Sequence, residues 1–219
     1  MAAGKRIPLE RKGTKYITAQ SPGPHKKTES VALSVLLRDL LKMADSTREV
    51  KAIIQAKKVL INGIARKDHR FPVGFLDEIS FTDLSDRYVI TYNTLGKLSL
   101  KKSEKIFVRP IKIIGKRILQ KGKIQINLFT GTNILVNNPK DLKVGDSLII
   151  EKNKISKHLK FEKGARVFLT SGKHVGNNGI IEEIKENKNW TQPKMIIVKT
   201  KTEVFETPKE YAYVVGGEI

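Results

Sequence analysis

The sequence contains no cysteine, which excludes disulfides and thiolate metal sites together. It has no run approaching the roughly 20 consecutive apolar residues of a membrane-spanning helix. The longest apolar stretch at helical spacing, Val31 to Ala44, is interrupted by Arg38, Asp39 and Lys42. A secretory leader is not expected either, because Lys5 and Arg6 are followed by further charge and not by an apolar core. Acidic residues are scarce: 22 Asp plus Glu stand against 42 Lys plus Arg, a net charge of +20 and a pI near 10.0. Such a chain repels itself until a polyanion neutralises it. With no membrane span in view, that polyanion is nucleic acid and the expected compartment is the cytoplasm.

Catalytic signatures are missing as well. There is no G-x-x-x-x-G-K-[ST] loop, no G-x-G-x-x-G after a strand, no G-x-S-x-G and no H-E-x-x-H. The four histidines, His25, His69, His158 and His174, show no ligand spacing, so each is expected at a surface or a phosphate and not on a metal. Asp83 and Asp86 could suggest a carboxylate pair, but they flank Leu84-Ser85 in a polar turn, where turn chemistry explains them. No enzyme activity, metal or cofactor is expected.

What is present is organised in four parts. Residues 1–30 hold seven basic and two acidic residues and few large apolar ones. Two prolines flank a glycine in Ser21-Pro22-Gly23-Pro24-His25, which rules out a continuous helix or a central strand and predicts an extended basic arm. In residues 31–85, Leu33, Leu36, Leu37, Leu40, Leu41 and Ala44 fall on one helical face. Asp45-Ser46-Thr47 breaks that helix and caps a second one, about Thr47 to Ala56, which buries Val50, Ile53 and Ile54 and exposes Arg48, Lys51 and Gln55. The period then changes to two. Val59-Leu60-Ile61 and Ile64-Ala65-Arg66 flank Asn62-Gly63, a hairpin signal because both residues tolerate positive φ. Pro72-Val73-Gly74 and Ile79-Ser80-Phe81 suggest another strand pair.

Residues 86–162 read as a β module. Tyr88, Ile90 and Tyr92 alternate, as do Ile124, Ile126 and Leu128, and Leu148-Ile149-Ile150 is a short apolar strand. Residues 163–219 contain four of the five strands of a small barrel, near 166–170, 179–185, 195–199 and 203–207, around a loop holding Gly172 and Gly176. Residues 203–219 carry one base against four acids, so the polyanion is expected at the front and middle of the chain.

A single exposed lysine is ordinary solvated surface. A cluster of cations on a small rigid unit, without a matching acidic run, can instead meet phosphates at fixed spacing. The candidate contacts are Lys5, Arg6, Arg11, Lys12, Lys15, His25, Lys26 and Lys27 in the arm. Arg38, Lys42, Arg48 and Lys51 follow on the helices. Lys57, Lys58, Asn62, Arg66, Lys67 and Arg70 lie around the hairpin. In the last part, Lys173 sits in a glycine-bearing loop whose backbone N–H groups could approach a phosphate.

The stretch Leu36-Leu37-Arg38-Asp39-Leu40-Leu41, then Arg48-Glu49-Val50-Lys51, then Val59-Leu60-Ile61-Asn62-Gly63, resembles the S-four-type RNA-binding domain. Its flanks, Ser21-Pro22-Gly23-Pro24-His25-Lys26 and Phe71-Pro72-Val73-Gly74-Phe75-Leu76-Asp77-Glu78-Ile79, resemble the archaeal and eukaryotic small-subunit ribosomal protein family S-four-e. Residues Gly164 to Ile181 resemble a KOW module, with Lys173 at the typical basic position. His174, Asn177 and Asn178 stand where a more basic loop is usual. Ile7 to Ile17 look closer to archaeal members, and the chain ends at Ile219 without the further basic extension of eukaryotic ones.

The resemblance implies an α+β chain: an S-four-type RNA-binding domain of two helices plus a β-hairpin, a central β-rich domain, and a C-terminal KOW SH3-like β-barrel. It implies a structural constituent of the small ribosomal subunit that binds and organises ribosomal RNA for translation. The implied partners are that RNA and neighbouring small-subunit proteins, with no membrane and no homo-oligomer. Two other readings compete. An RNA-modifying enzyme with an appended S-four-type domain would need a catalytic domain for which the β-rich residues 86–219 lack room. A KOW-bearing transcription or translation factor would be expected to leave the ribosome.

Overall fold

Short β-strands dominate the chain because its apolar residues recur mostly at period two between turn residues. The computed structural model describes residues 4, 6–9, 16–103, 107–120, 123–136, 141–151, 154–185, 193–200 and 202–217. The chain divides into two units, residues 1–92 with 97–107, and residues 93–96 with 108–219. All strand pairings described below are antiparallel.

In the first unit, β1 (Ser30–Ala32) pairs with β4 (Pro72–Gly74). Between them the chain makes a single α-helical turn, α1 (Leu33–Val35), that runs into a π-helical turn at Leu36–Leu40. The regular helix expected from Leu33 to Ala44 does not form. The Leu41 N–H reaches back to Leu36 O at 2.9 Å, five residues away, and Lys42 ends the turn at φ 52°. Every residue from Val31 to Leu37 is buried, so the leucine spacing reports a segment enclosed by core and not one stripe of a surface helix.

Helix α2 (Thr47–Gln55) follows a reciprocal cap. Ser46 Oγ accepts the Glu49 N–H at 3.2 Å, and the Glu49 carboxylate accepts the Asp45 N–H at 3.0 Å, satisfying donors that a helix start leaves open. Strands β2 (Val59–Ile61) and β3 (Ile64–Ala65) form the hairpin around Asn62 and Gly63, at φ 52° and 76°. The Pro72–Gly74 strand and β5 (Glu78–Phe81) do not pair with each other as expected. The first lies against β1, while β5 lies between β2 and β6 (Arg87–Tyr92). With β7 (Leu98–Ser103) the sheet has the order β3-β2-β5-β6-β7. The division expected at residues 85/86 therefore falls inside one sheet. The core of this unit is built from Leu33, Leu36, Leu37, Val50, Ile54, Ile61, Phe75, Leu76, Ile79 and Ile90, all buried, each contributing about 1.5–3 kcal/mol.

The second unit holds two five-stranded sheets. One has the order β10-β9-β8-β11-β12, with β8 Pro110–Ile118, β9 Ile124–Leu128, β10 Asn133–Val136, β11 Ser147–Glu151 and β12 Lys154–Leu159. It closes on Ile113, Ile126, Leu128, Leu142 and Leu148. The other has the order β16-β15-β14-β13-β17, with β13 Arg166–Leu169, β14 Asn178–Ile184, β15 Met195–Lys199, β16 Val204–Pro208 and β17 Ala212–Val214. Its core includes Val167, Leu169, Ile181, Ile196, Val198 and Val214. Tyr213 ties the two sheets together: its hydroxyl accepts the Lys112 N–H and donates to Pro110 O, both at 2.9 Å. Among the described residues no helix is long and apolar enough to cross a membrane.

Candidate nucleic-acid interface

The cations of the first unit divide into those the fold uses and those it leaves exposed. Helix α2 buries Val50 and Ile54 and turns Arg48 and Lys51 to solvent. Lys57, held at φ 56° just past the helix, is exposed, as are Lys26, Lys27, Lys42 and Lys67. None of these seven side chains has an ion-pair partner among the described residues. Arg70 is exposed, with Nε donating to Ala19 O at 3.1 Å. In the second unit Lys173 is exposed on the loop between β13 and β14.

Other candidates are engaged internally. His25 is buried, with Nε2 at 2.7 Å from Asp77 Oδ2 and both side chains 1% exposed. Its ring is enclosed against Gly74 as well as held by Asp77, so the surface contact expected for it gives way to an internal one. Asn62 donates its amide to Asp77 Oδ1 at 2.8 Å and accepts the Glu78 N–H at 3.0 Å, so both ends of that side chain hold the hairpin. Arg38 is half-buried and forked onto Asp39 at 2.7 and 2.9 Å, and the Asp39 carboxylate holds the guanidinium above its usual pKa. Arg66 lies 4.5 Å from the Phe71 ring centre. Lys58 pairs with Asp83 at 2.7 Å. Arg6 contacts Glu29 at 3.4 Å and donates to the Tyr92 hydroxyl at 3.3 Å. Lys5, Arg11, Lys12 and Lys15 lie outside the described residues.

The remaining histidines also sit on carboxylates: His69 on Asp68 at 3.7 Å, His158 on Asp146 at 2.7 Å and His174 on Glu203 at 3.0 Å. These pairs join residues too far apart in sequence, or too ordinary in composition, to be read from spacing. Asp83 and Asp86 hold Lys58 and Lys102 and do not face a common cleft. Among the described residues no three His, Asp or Glu side chains gather as a metal site.

The first unit thus presents exposed cations on a β-rich scaffold, with internal partners for Asp39, Asp77, Glu78 and Asp83. Comparison with known proteins supplies the family. Residues 84–155 match the model of ribosomal family S4e. The small ribosomal subunit protein eS4 of Archaeoglobus fulgidus is 38% identical over 218 residues, spanning 99% of this chain and 91% of that protein. The protein of the same name from Methanocaldococcus jannaschii is 37% identical over 228 residues, spanning 100% of this chain and 93% of that one. The crystal structure of the 30S ribosomal protein S4e from Thermoplasma acidophilum superposes with a TM-score of 0.70 at 29% identity, over 86% of this chain and 95% of that one. The class is thus ribosomal protein and not enzyme. Within that class, the chain belongs to the S4e family, as an archaeal-type member.

Proposed function

We propose that the chain is a structural constituent of the small ribosomal subunit that binds and organises ribosomal RNA for translation. The observation that carries this reading is the contrast within the first unit. Arg48, Lys51, Lys57 and Lys67 stand exposed with no ion-pair partner among the described residues, while Asp77, Glu78, Asp39 and the exposed Asp83 each hold a group of the protein itself. Phosphate oxygens supply the missing counter-charge. Residues 31 to about 103 serve as the S-four-type RNA-binding module, α2 and the β2–β3 hairpin presenting its cations. The sheet β13–β17 serves as the KOW barrel, with Lys173 at its loop. The names of the relatives place them in the small subunit, which supports the same cytoplasmic, ribosome-bound setting and neighbouring small-subunit proteins as further partners.

The test combines two measurements. The protein is expected to co-sediment with small subunits through a high-salt cushion, whereas a factor that visits the ribosome transiently would be stripped off. Arg48→Ala with Lys51→Ala is expected to weaken RNA binding and leave the circular dichroism and melting temperature of the protein unchanged, because both side chains point away from Val50 and Ile54. A collapse of the melting temperature would assign these side chains to the fold and overturn their role as contacts.

A further inference from the structure

Four lysines of the second unit lie near one another, none with an ion-pair partner among the described residues. Lys194 and Lys209 lie opposite each other at the end of the β15–β16 pair, one step beyond the Met195–Pro208 register, and the Lys209 N–H donates to Lys194 O at 2.8 Å. Like charges directly opposite on neighbouring strands destabilise a sheet. The Lys209 ammonium reaches the other sheet of the unit, donating to Val144 O at 3.0 Å and lying 4.6 Å from the Phe161 ring centre. Lys143 stands beside Val144, exposed. Lys112, on β8, donates to Glu210 O at 2.8 Å and Ala212 O at 2.7 Å, both main-chain carbonyls. No ion pair reaches Lys112, Lys143, Lys194 or Lys209 among the described residues.

The electrostatics carry the mark of this crowding. Lys209 is held below the ordinary lysine pKa, first by burial and then by repulsion from Lys194 and Lys143, with Asp146 opposing. Lys112 is pushed down to about 8, first by burial and then by Lys209, with Glu210 opposing. Of the acids near these lysines, Asp146 contacts His158 at 2.7 Å and accepts the Phe161 N–H at 2.9 Å, and Glu210 acts on Lys112 without forming an ion pair among the described residues. Other lysines of the chain, Lys58, Lys102, Lys185 and Lys199, each have a carboxylate. What sets these four apart is their proximity, bridged by the Lys209–Lys194 main-chain hydrogen bond and the Lys209–Val144 contact.

We infer that Lys112, Lys143, Lys194 and Lys209 form an additional RNA-backbone site, in which the two half-buried lysines make a fixed positive floor and the two exposed ones close on phosphate oxygens. Four point charges in so small a space call for a ligand of dense negative charge, and a polynucleotide backbone supplies it residue after residue. The site rests on the proposal that the chain binds RNA and adds to the cations of the first unit. One of the four, Lys209, is the single base of the otherwise acidic residues 203–219.

The test uses the full-length protein, a mixed-sequence single-stranded 20-nucleotide RNA, and poly-glutamate as a protein-like polyanion. Lys143→Gln with Lys194→Gln is expected to lower the log–log salt slope of RNA binding by about 1.4, at about 0.7 per lost contact, and to weaken binding roughly tenfold at moderate salt. The melting temperature should stay level or rise, since repulsion is relieved. Lys185→Gln with Lys199→Gln, the same charge change at lysines paired with Glu206 and Glu182, should leave the slope near the wild-type value. A flat salt response in the wild type would defeat the proposed function itself. A steep wild-type slope that the Lys143/Lys194 variant reproduces would overturn this site alone. A lower melting temperature in that variant, or stronger competition by poly-glutamate than by RNA at equal charge, would also overturn it, in favour of a structural role or an acidic protein partner.

Discussion

A methyl group added at residue 176 tests the loop between β13 and β14 at its tightest point. Gly176 has φ +84°, a left-handed conformation that costs an ordinary L-residue about 1–2 kcal/mol. A Cβ there would lie 2.5 Å from Asn93 O, 2.6 Å from Asn93 C and 2.9 Å from Thr94 N. All three are backbone atoms, and none can rotate away as a side chain would. Asn93 O already accepts the Gly96 N–H at 2.9 Å, and the Gly176 N–H donates to Leu169 O at 2.8 Å, so either segment loses a hydrogen bond by moving. Overpacking of this kind costs about 1–3 kcal/mol, and Gly176→Ala should destabilise the sheet β13–β17 by about 2–5 kcal/mol in all. Gly164→Ala is the matched control: its φ is +85°, with open space where the Cβ would go, so it should cost only the conformational 1–2 kcal/mol. Peptide-resolved hydrogen exchange reads both. Gly176→Ala should accelerate exchange in β13 and β14 well beyond Gly164→Ala, with β2 and β5 unchanged. Equal acceleration by the two variants would refute the close-approach argument.

Two further outcomes follow from buried polar groups. Because Lys112 is pushed down to about 8 from an ordinary 10.5, the unfolded chain binds more protons than the native one between those values. Stability of the second unit should therefore rise as pH goes from 8 to about 10.5, by on the order of 3 kcal/mol, and Lys112→Met should remove that slope in urea titrations at matched pH. His25→Ala leaves the buried Asp77 carboxylate short of its 2.7 Å partner and should destabilise the first unit by roughly 3 kcal/mol. Limited proteolysis should then open residues 16–30, and a cleavage rate equal to wild type would show that the contact holds nothing.

Local signals were legible in proportion to how local their causes are. The β2–β3 hairpin follows from Asn62-Gly63 alone, since two adjacent positive-φ residues select that turn. Strands near Ile124–Leu128 and Arg166–Leu169 follow from alternation. Pairing is non-local and was not readable: nothing in Pro72–Gly74 indicates that its partner is Ser30–Ala32 and not the nearby β5. The fifth strand of the last sheet, Ala212–Val214, is only three residues long and falls in a stretch whose acidity drew attention away from it. The π-helical turn at Leu36–Leu40 follows directly on a segment, Val31–Leu37, that is buried throughout, a tertiary fact that a leucine spacing cannot separate from amphipathicity. Exposed cations such as Arg48 and Lys51 were accessible through the face opposite Val50 and Ile54. His25 was not, because the carboxylate that buries it lies 52 residues away. The lysine cluster was further out of reach, being assembled from positions between 112 and 209.

The two sequence segments that flank the helices turn out to be halves of one contact. In Ser21-Pro22-Gly23-Pro24-His25, Gly23 approaches Pro72 so closely that a Cβ would overlap its ring, and His25 lies against Gly74 in the same way. The segment Pro72-Val73-Gly74-Phe75-Leu76-Asp77 supplies both surfaces and then the carboxylate that receives the imidazole. The prolines stiffen the incoming chain, the glycines admit it, and the Ser21 N–H completes the seam on Arg70 O at 2.9 Å. Residues 16–30, the larger described part of the expected extended basic arm, are thus docked on the first unit. The docking matters for binding. Ordering a loose arm on RNA would cost about 1–2 kcal/mol per residue, whereas Lys26 and Lys27, directly after His25, are presented on chain that the protein has already ordered. A seam of small residues closed by a buried histidine is therefore how a basic segment with little apolar surface of its own is held in place, and under the proposed function Lys26 and Lys27 need no ordering before they meet a phosphate backbone.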